Sequence, residues 1–234
     1  MWRTILLVYR ELDVKLPAGR RGRSHRFHHF ASEAEVADAL DSFRAFPGLV
    51  ASMTDGAVRI AAEIVHVDHP LHSLTGESPA RWWPSPNDTR RALDRLAPPG
   101  RFDSVFVSWP QRDFGTGSAV PCDAWGLAVG ASAWSNGATY AAIANAPSAA
   151  WRGETPGEVW LHEWLHGVCH HFAGQGHAMP EGDADGAERH GYLRSPIRGW
   201  TDYYRDLMNG NVLENGRRLG IPIAAWREEK TLLA

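Results

Sequence analysis

The stretch Thr155-Pro156-Gly157-Glu158-Val159-Trp160-Leu161-His162-Glu163-Trp164-Leu165-His166-Gly167-Val168-Cys169-His170-His171-Phe172 decides how the rest of the chain is read. Leu161, Leu165, Val168 and Phe172 recur at the spacing of an α-helix with one buried face. Thr155 is the expected N-cap, Pro156 the first helical position and Glu158 the residue that completes a capping box. Gly174 and Gly176 are expected to stop the helix soon after Phe172. Beside the apolar stripe stand His162 and His166, one turn and about 40° apart on a helix, so that both imidazoles reach one point. Glu163 would reach a water at that point rather than the point itself. Residues 162–166 thus match H-E-x-x-H on a predicted helix, a pattern whose chemistry is metal binding.

Upstream, Thr4 to Leu16 reads as one strand, followed by a basic loop from Arg20 to Arg26. Ser32 and Glu35 form a capping box for a helix that should run to about Phe46 and close at Pro47-Gly48. Val58 to Val67 has strand composition, Asp88 to Leu96 reads as a short helix, and Ser104 to Trp109 is a compact apolar strand. Leu127 to Ala133 and Thr139 to Ala144 read as a hairpin turning at Ser135-Asn136-Gly137. After the H-E-x-x-H helix the chain turns Gly-rich and loop-heavy, with one predicted helix near Thr201 to Met208.

The chain has 234 residues, 44% of them hydrophobic, which is enough for a full core without staples. We read it as one domain over residues 1–234, with an upper sheet-and-helix part to 173 and a lower lobe from 174. No apolar run is long enough to span a bilayer, and 24 Lys and Arg nearly balance 27 Asp and Glu. These values argue against a membrane protein or a dedicated nucleic-acid binder. The first residues lack a secretory pattern, so a cytoplasmic chain or a mature secreted form is expected, as a monomer. Cys122 and Cys169 are expected to be separate buried thiols.

On His162, Glu163 and His166 the sequence resembles the zincin metallopeptidases, and more loosely so in the sheet before that helix and the small lobe after it. The resemblance implies an α/β (α+β) fold: a mixed sheet with two helices on one side, the active-site helix beneath a cleft, and a small C-terminal lobe. It also implies Zn2+ held by the two histidines, with Glu163 as general base in peptide-bond hydrolysis. The hairpin from Leu127 to Ala144 would be the edge against which an extended peptide or protein substrate pairs. The alternatives are a zinc hydrolase acting on a non-peptide amide or a biosynthetic intermediate, and a non-catalytic binding module on the same scaffold.

Zincins divide by their third ligand. The metzincin pattern fails, since Cys169 and Phe172 stand where it requires glycine and histidine. The glutamate-type spacing of eighteen residues after His166 arrives at Asp185, and Asp183 to Tyr192 partly resembles the aspartate type. Asp185 is therefore the leading candidate, followed by His190, then His177, Glu181, Asp183 and Glu188. An oxyanion partner is expected among Tyr192, Tyr203, Tyr204 and His190, with at most one of the adjacent Tyr203 and Tyr204 facing the cleft. His170 reads as an outer or surface residue, and Met208 as an ordinary core residue. The His66, Asp68 and His69 cluster lacks the first histidine of the hydrolase pattern that it otherwise approaches. Nucleophile-elbow and dinucleotide-loop motifs are absent.

Overall fold

The structure, a computed structural model, describes residues 1–17, 24–78, 81–122, 124, 126–145 and 155–232. Ile5-Leu6-Leu7-Val8 is apolar without alternation, the signature of a strand covered on both faces. It lies in β1 (Trp2–Val8), near the middle of a five-stranded sheet. The sheet also contains β4 (Ile60–His66), β7 (Ser104–Trp109), β8 (Gly126–Val129) and β9 (Thr139–Ala144), in the order β4-β1-β7-β9-β8. The first four neighbours run parallel, with Leu6 beside Ile64 on one side and Phe106 on the other. Strand β8 pairs antiparallel with β9, Ala128 opposite Ala141, and forms one edge of the sheet.

Alternate side chains of these strands enter two cores. Leu6, Val8, Phe106 and Ile143 face helices α1 (Glu33–Met53), α3 (Glu158–Gly174), α4 (Thr201–Met208) and α5 (Ile223–Leu232). Ile5, Leu7, Val105 and Val107 face the other side, where α2 (Arg90–Leu96) and the hairpin of β2 (Glu11–Leu16) and β3 (His25–Phe30) pack. A second small hairpin joins β5 (Thr75–Ser78) to β6 (Arg81–Trp83). The mixed sheet with helices is an α+β fold. Among the described residues no helix is long and apolar enough to cross a membrane.

The structure departs from the sequence reading at several boundaries. Thr4 to Leu16 is two strands, because continuous apolar burial up to Val8 gives way to alternation in β2, where Leu12, Val14 and Leu16 are buried while Glu11, Asp13 and Lys15 are not. His25 and Arg26 belong to strand β3, whereas Arg20, Arg21 and Arg23 lie outside the described residues. The capping box of Ser32 and Glu35 is present, but α1 continues through Pro47 to Met53. An interior proline costs about 3 kcal/mol. Burying Val50 and Met53 in the extended stripe returns about 1.5–3 kcal/mol each, so packing overrides the local breaker.

Helix α3 starts at Glu158, not Pro156, and its N-cap is Gly157 at φ 91° with no side-chain bond, not Thr155. The Glu158 carboxylate accepts instead from the main-chain N–H of Trp200, 2.6 Å away, which ties α3 to the start of α4. Helix α4 spans the predicted residues. The lobe around it holds more order than expected: β10 (Val212–Glu214) and β11 (Arg217–Leu219) turn on Asn215-Gly216, and α5 follows. Asn-Gly is a strong hairpin signal, and here it supplies the turn.

Two indole bonds set the rotation of α3 about its axis. The Trp164 Nε1–H donates to Ser104 Oγ in β7 at 3.0 Å, and the Trp160 Nε1–H donates to Ser42 Oγ in α1 at 3.2 Å. Gly167 lets the helix approach the sheet edge, since a Cβ there would meet the Val129 carbonyl oxygen at 3.1 Å and Thr139 Cβ at 3.0 Å. Gly167→Val is therefore expected to lower unfolding free energy by about 1–3 kcal/mol, as an overpacked contact does, measured by urea denaturation.

Candidate metal centre

Helix α3 turns its apolar stripe into the core and presents His162, Glu163 and His166 to a cleft of about 750 Å³. Strand β8 forms one wall of this cleft, and a 3-10 turn at Asp183–Asp185 closes another. The Nε2 atoms of His162 and His166 stand 3.2 Å apart, their rings perpendicular. Asp185 completes a triangle, with Oδ1 3.4 Å from His162 Nε2 and Oδ2 3.7 Å from His166 Nε2. Three donors bound at about 2.0–2.2 Å around a tetrahedral ion lie roughly 3.3–3.6 Å from one another, so these separations fit a divalent transition metal. His162, His166 and Asp185 are a donor set able to hold a metal ion.

The other ring nitrogens are also engaged. His162 Nδ1 lies 2.9 Å from the Tyr204 hydroxyl, and His166 Nδ1 lies 2.5 Å from Asp183 Oδ1. Burial, reinforced by the neighbouring His166, lowers the His162 pKa to about 4, so its imidazole is neutral at pH 7, as a ligand must be. His166 is raised: burial works against its charged form, but the hydrogen bond and charge of Asp183 outweigh it.

Glu163 is 5% exposed, and desolvation pushes its carboxyl up to about 7 against the pull of His166. Its Oε1 is 4.0 Å from His162 Nε2. The backbone of β8 passes directly over this carboxylate, because a Cβ at Gly126 would fall within the Glu163 side chain. A carboxylate with a raised pKa, beside three side chains able to hold a metal ion and under a strand edge, is suited to moving protons at the cleft floor.

Of the sequence-predicted residues, His162, Glu163, His166 and Asp185 come together, Asp183 and Tyr204 touch the imidazoles from behind, and His190, Tyr192, Tyr203, His177 and Glu181 are engaged elsewhere. His190 points away: its Nε2 is 3.0 Å from the Glu181 carbonyl oxygen and its ring stacks parallel to Tyr203. The backbone after Asp185 runs through Gly186 into a second 3-10 turn, Glu188–His190, which carries the imidazole out of reach. Tyr192 donates its hydroxyl to Asp206 on α4 rather than facing the cleft. Tyr203 is fully buried, with its hydroxyl donating to the Asp183 carbonyl oxygen. Neither tyrosine is placed to meet a substrate oxyanion.

His177 packs on Phe172, and Glu181 pairs with Arg189. Asp183 stands beside the triangle as the partner of His166, a role its Asp-x-Asp spacing from Asp185 could have suggested. His170 lines the cleft against Gly130. Met208 is core; Cys169 is buried as expected, which pushes its thiol well up, whereas Cys122 is only half-buried. In the upstream cluster, Asp68 pairs with Arg95 and His69 contacts Tyr9, so no metal site forms among them.

No protein family, curated protein or solved structure matches the chain, so the reading of the site rests on its geometry. That geometry sets an expected outcome for metal analysis. Protein equilibrated with zinc and desalted should carry about one ion per chain, His166→Ala should carry none, and Asp185→Asn should bind more weakly. His190→Ala should leave zinc content unchanged, as mass spectrometry of the metal would read.

Proposed function

We propose that the chain is a zinc-dependent hydrolase that cleaves peptide bonds within extended segments, a metallopeptidase of the endopeptidase type. The observation that carries this reading is the convergence of two Nε2 atoms and the Asp185 carboxylate beside the buried Glu163 carboxylate, at the floor of an open cleft. Two imidazoles, one carboxylate and a position left open toward the cleft are the donor set of catalytic zinc. Zinc, when bound there, supplies a Lewis acid for the scissile carbonyl and lowers the pKa of an attacking water.

The chain supplies the remaining parts. Glu163, one residue from His162, takes the proton of the attacking water and delivers it to the leaving amine. His162 and His166 would hold the metal through Nε2, and their Nδ1 atoms are themselves engaged by Tyr204 and Asp183. Strand β8, at the sheet edge and along the cleft, offers main-chain pairing to an extended peptide, which holds the scissile bond across the floor without depending on particular side chains.

The test is hydrolysis of casein and of quenched fluorescent peptides by the zinc-loaded protein. Glu163→Gln should keep its zinc and lose about a hundred- to ten-thousand-fold in kcat/KM, since the general base is removed and the ligands are not. Hydrolysis that persists in Glu163→Gln overturns the proposed role of this residue. Zinc binding without cleavage of any peptide overturns the peptidase reading in favour of a non-peptide amide substrate or a binding module.

A further inference from the structure

Two adjacent residues of α4 grip both halves of the donor triangle. Tyr203 and Tyr204 are each at most 1% exposed, and neighbours on a helix point about 100° apart, so their hydroxyls go to different places. The Tyr204 hydroxyl meets His162 Nδ1 at 2.9 Å. The Tyr203 hydroxyl donates to the main-chain carbonyl of Asp183, in the turn whose side chains are the His166 partner Asp183 and the donor Asp185. We propose that the Tyr203-Tyr204 pair is the positioning element of the metal centre, Tyr204 acting through His162 and Tyr203 through the turn that presents Asp185. The proposal rests on the metal reading of the site given above.

Each tyrosine answers a distinct physical need. A histidine that offers its Nε2 lone pair carries its proton on Nδ1, and the Tyr204 oxygen accepts that proton, which sets tautomer and ring tilt together. Asp185 needs a different kind of support, because its side chain is 72% exposed. Its position depends on the backbone of the turn. That backbone includes Asp183 at φ 37°, a conformation a non-glycine residue keeps only when its surroundings over-determine it. The Tyr203 bond to the Asp183 carbonyl and the Asp183 side-chain bonds to Ala184 N–H and His166 supply that restraint. The main-chain bond from Trp200 to Glu158 anchors the start of α4 to α3, so both tyrosines are referenced to the helix that bears the histidines.

The two routes make different predictions in combination. Tyr203→Phe and Tyr204→Phe should each weaken zinc binding about ten- to a hundredfold, as removal of an outer partner does, read by competition with a chromophoric chelator. In an Asp185→Asn background, Tyr203→Phe should lose most of its effect, because the donor it positions is already impaired. Tyr204→Phe should keep its full effect there. Cobalt-loaded Tyr203→Phe should also show a changed visible absorption, which a loss of fold stability alone would not produce.

Should either buried variant fail to fold, Asp183→Ala removes the partly exposed side chain that restrains the turn and tethers His166, and should give the same loss. Zinc affinities within about twofold of the unmodified protein in every folded variant overturn the proposal, since outer partners normally change affinity tenfold or more. So does an equal effect of Tyr203→Phe in both backgrounds. An unmodified protein that takes up no zinc overturns the metal reading, and this inference with it, which separates the two failures.

Discussion

The rotational setting of α3 is the constraint on which the rest of the site depends. A helix carrying His162, Glu163 and His166 serves a metal only if those side chains face the cleft, and a rotation of a few tens of degrees would bury them in the core or aim them away from Asp185. Trp160 and Trp164, one turn apart on the core-facing side of the helix, resist that rotation by donating to Ser42 and Ser104 while their rings pack in the aromatic core. Gly167 then lets the helix sit close under the sheet edge, which brings β8 over the Glu163 carboxylate. Apolar packing in this protein therefore does directional work, and the polar groups of the site inherit their geometry from it.

The lobe after α3 has a complementary task. Its turn at Asp183–Asp185 brings two carboxylates, and its helix α4 the Tyr204 hydroxyl, to the imidazoles. The lobe is fastened by apolar contacts, with Trp226 stacked on Trp164 and edge-on to Phe172, and by the Glu158 bond to the start of α4. Burial on this scale would be costly for lone charges, and the structure avoids that cost by pairing. His166 has Asp183, and His162 is neutral and bonded. For Glu163 desolvation outweighs the pull of His166, which is why its carboxyl is pushed up to about 7.

Much of this was legible along the chain where local rules and tertiary demands agree. The Ser32 and Glu35 capping box, the strand at Ser104 to Trp109 and the helix at Thr201 to Met208 stand where composition and periodicity put them; β8 and β9 pair antiparallel as expected, but β8 ends at Val129 rather than Ala133, which belongs to a 3-10 turn. Misreadings fall where a distant contact overrides a local preference. Pro47 does not end α1, because Val50 and Met53 extend its buried stripe. Thr155 does not cap α3, because Gly157 turns the backbone there and Glu158 is drawn to Trp200. Thr4 to Leu16 is not one strand, because its first half is covered on both faces and its second half on one.

The sequence by itself determined that two imidazoles and a carboxylate share one face of a helix, since spacing on a 3.6-residue period is a local matter. It also marked Asp185 by its distance from His166 along the chain. Only the tertiary structure decided between Asp185 and His190, and gave Tyr203, Tyr204 and Asp183 their places. Those assignments depend on how an irregular turn docks against a helix whose neighbours in space are remote in sequence. No periodicity encodes such a docking, because turn geometry at Gly182–Gly186 and the burial of α4 are set by packing over the whole lobe rather than by any local repeat.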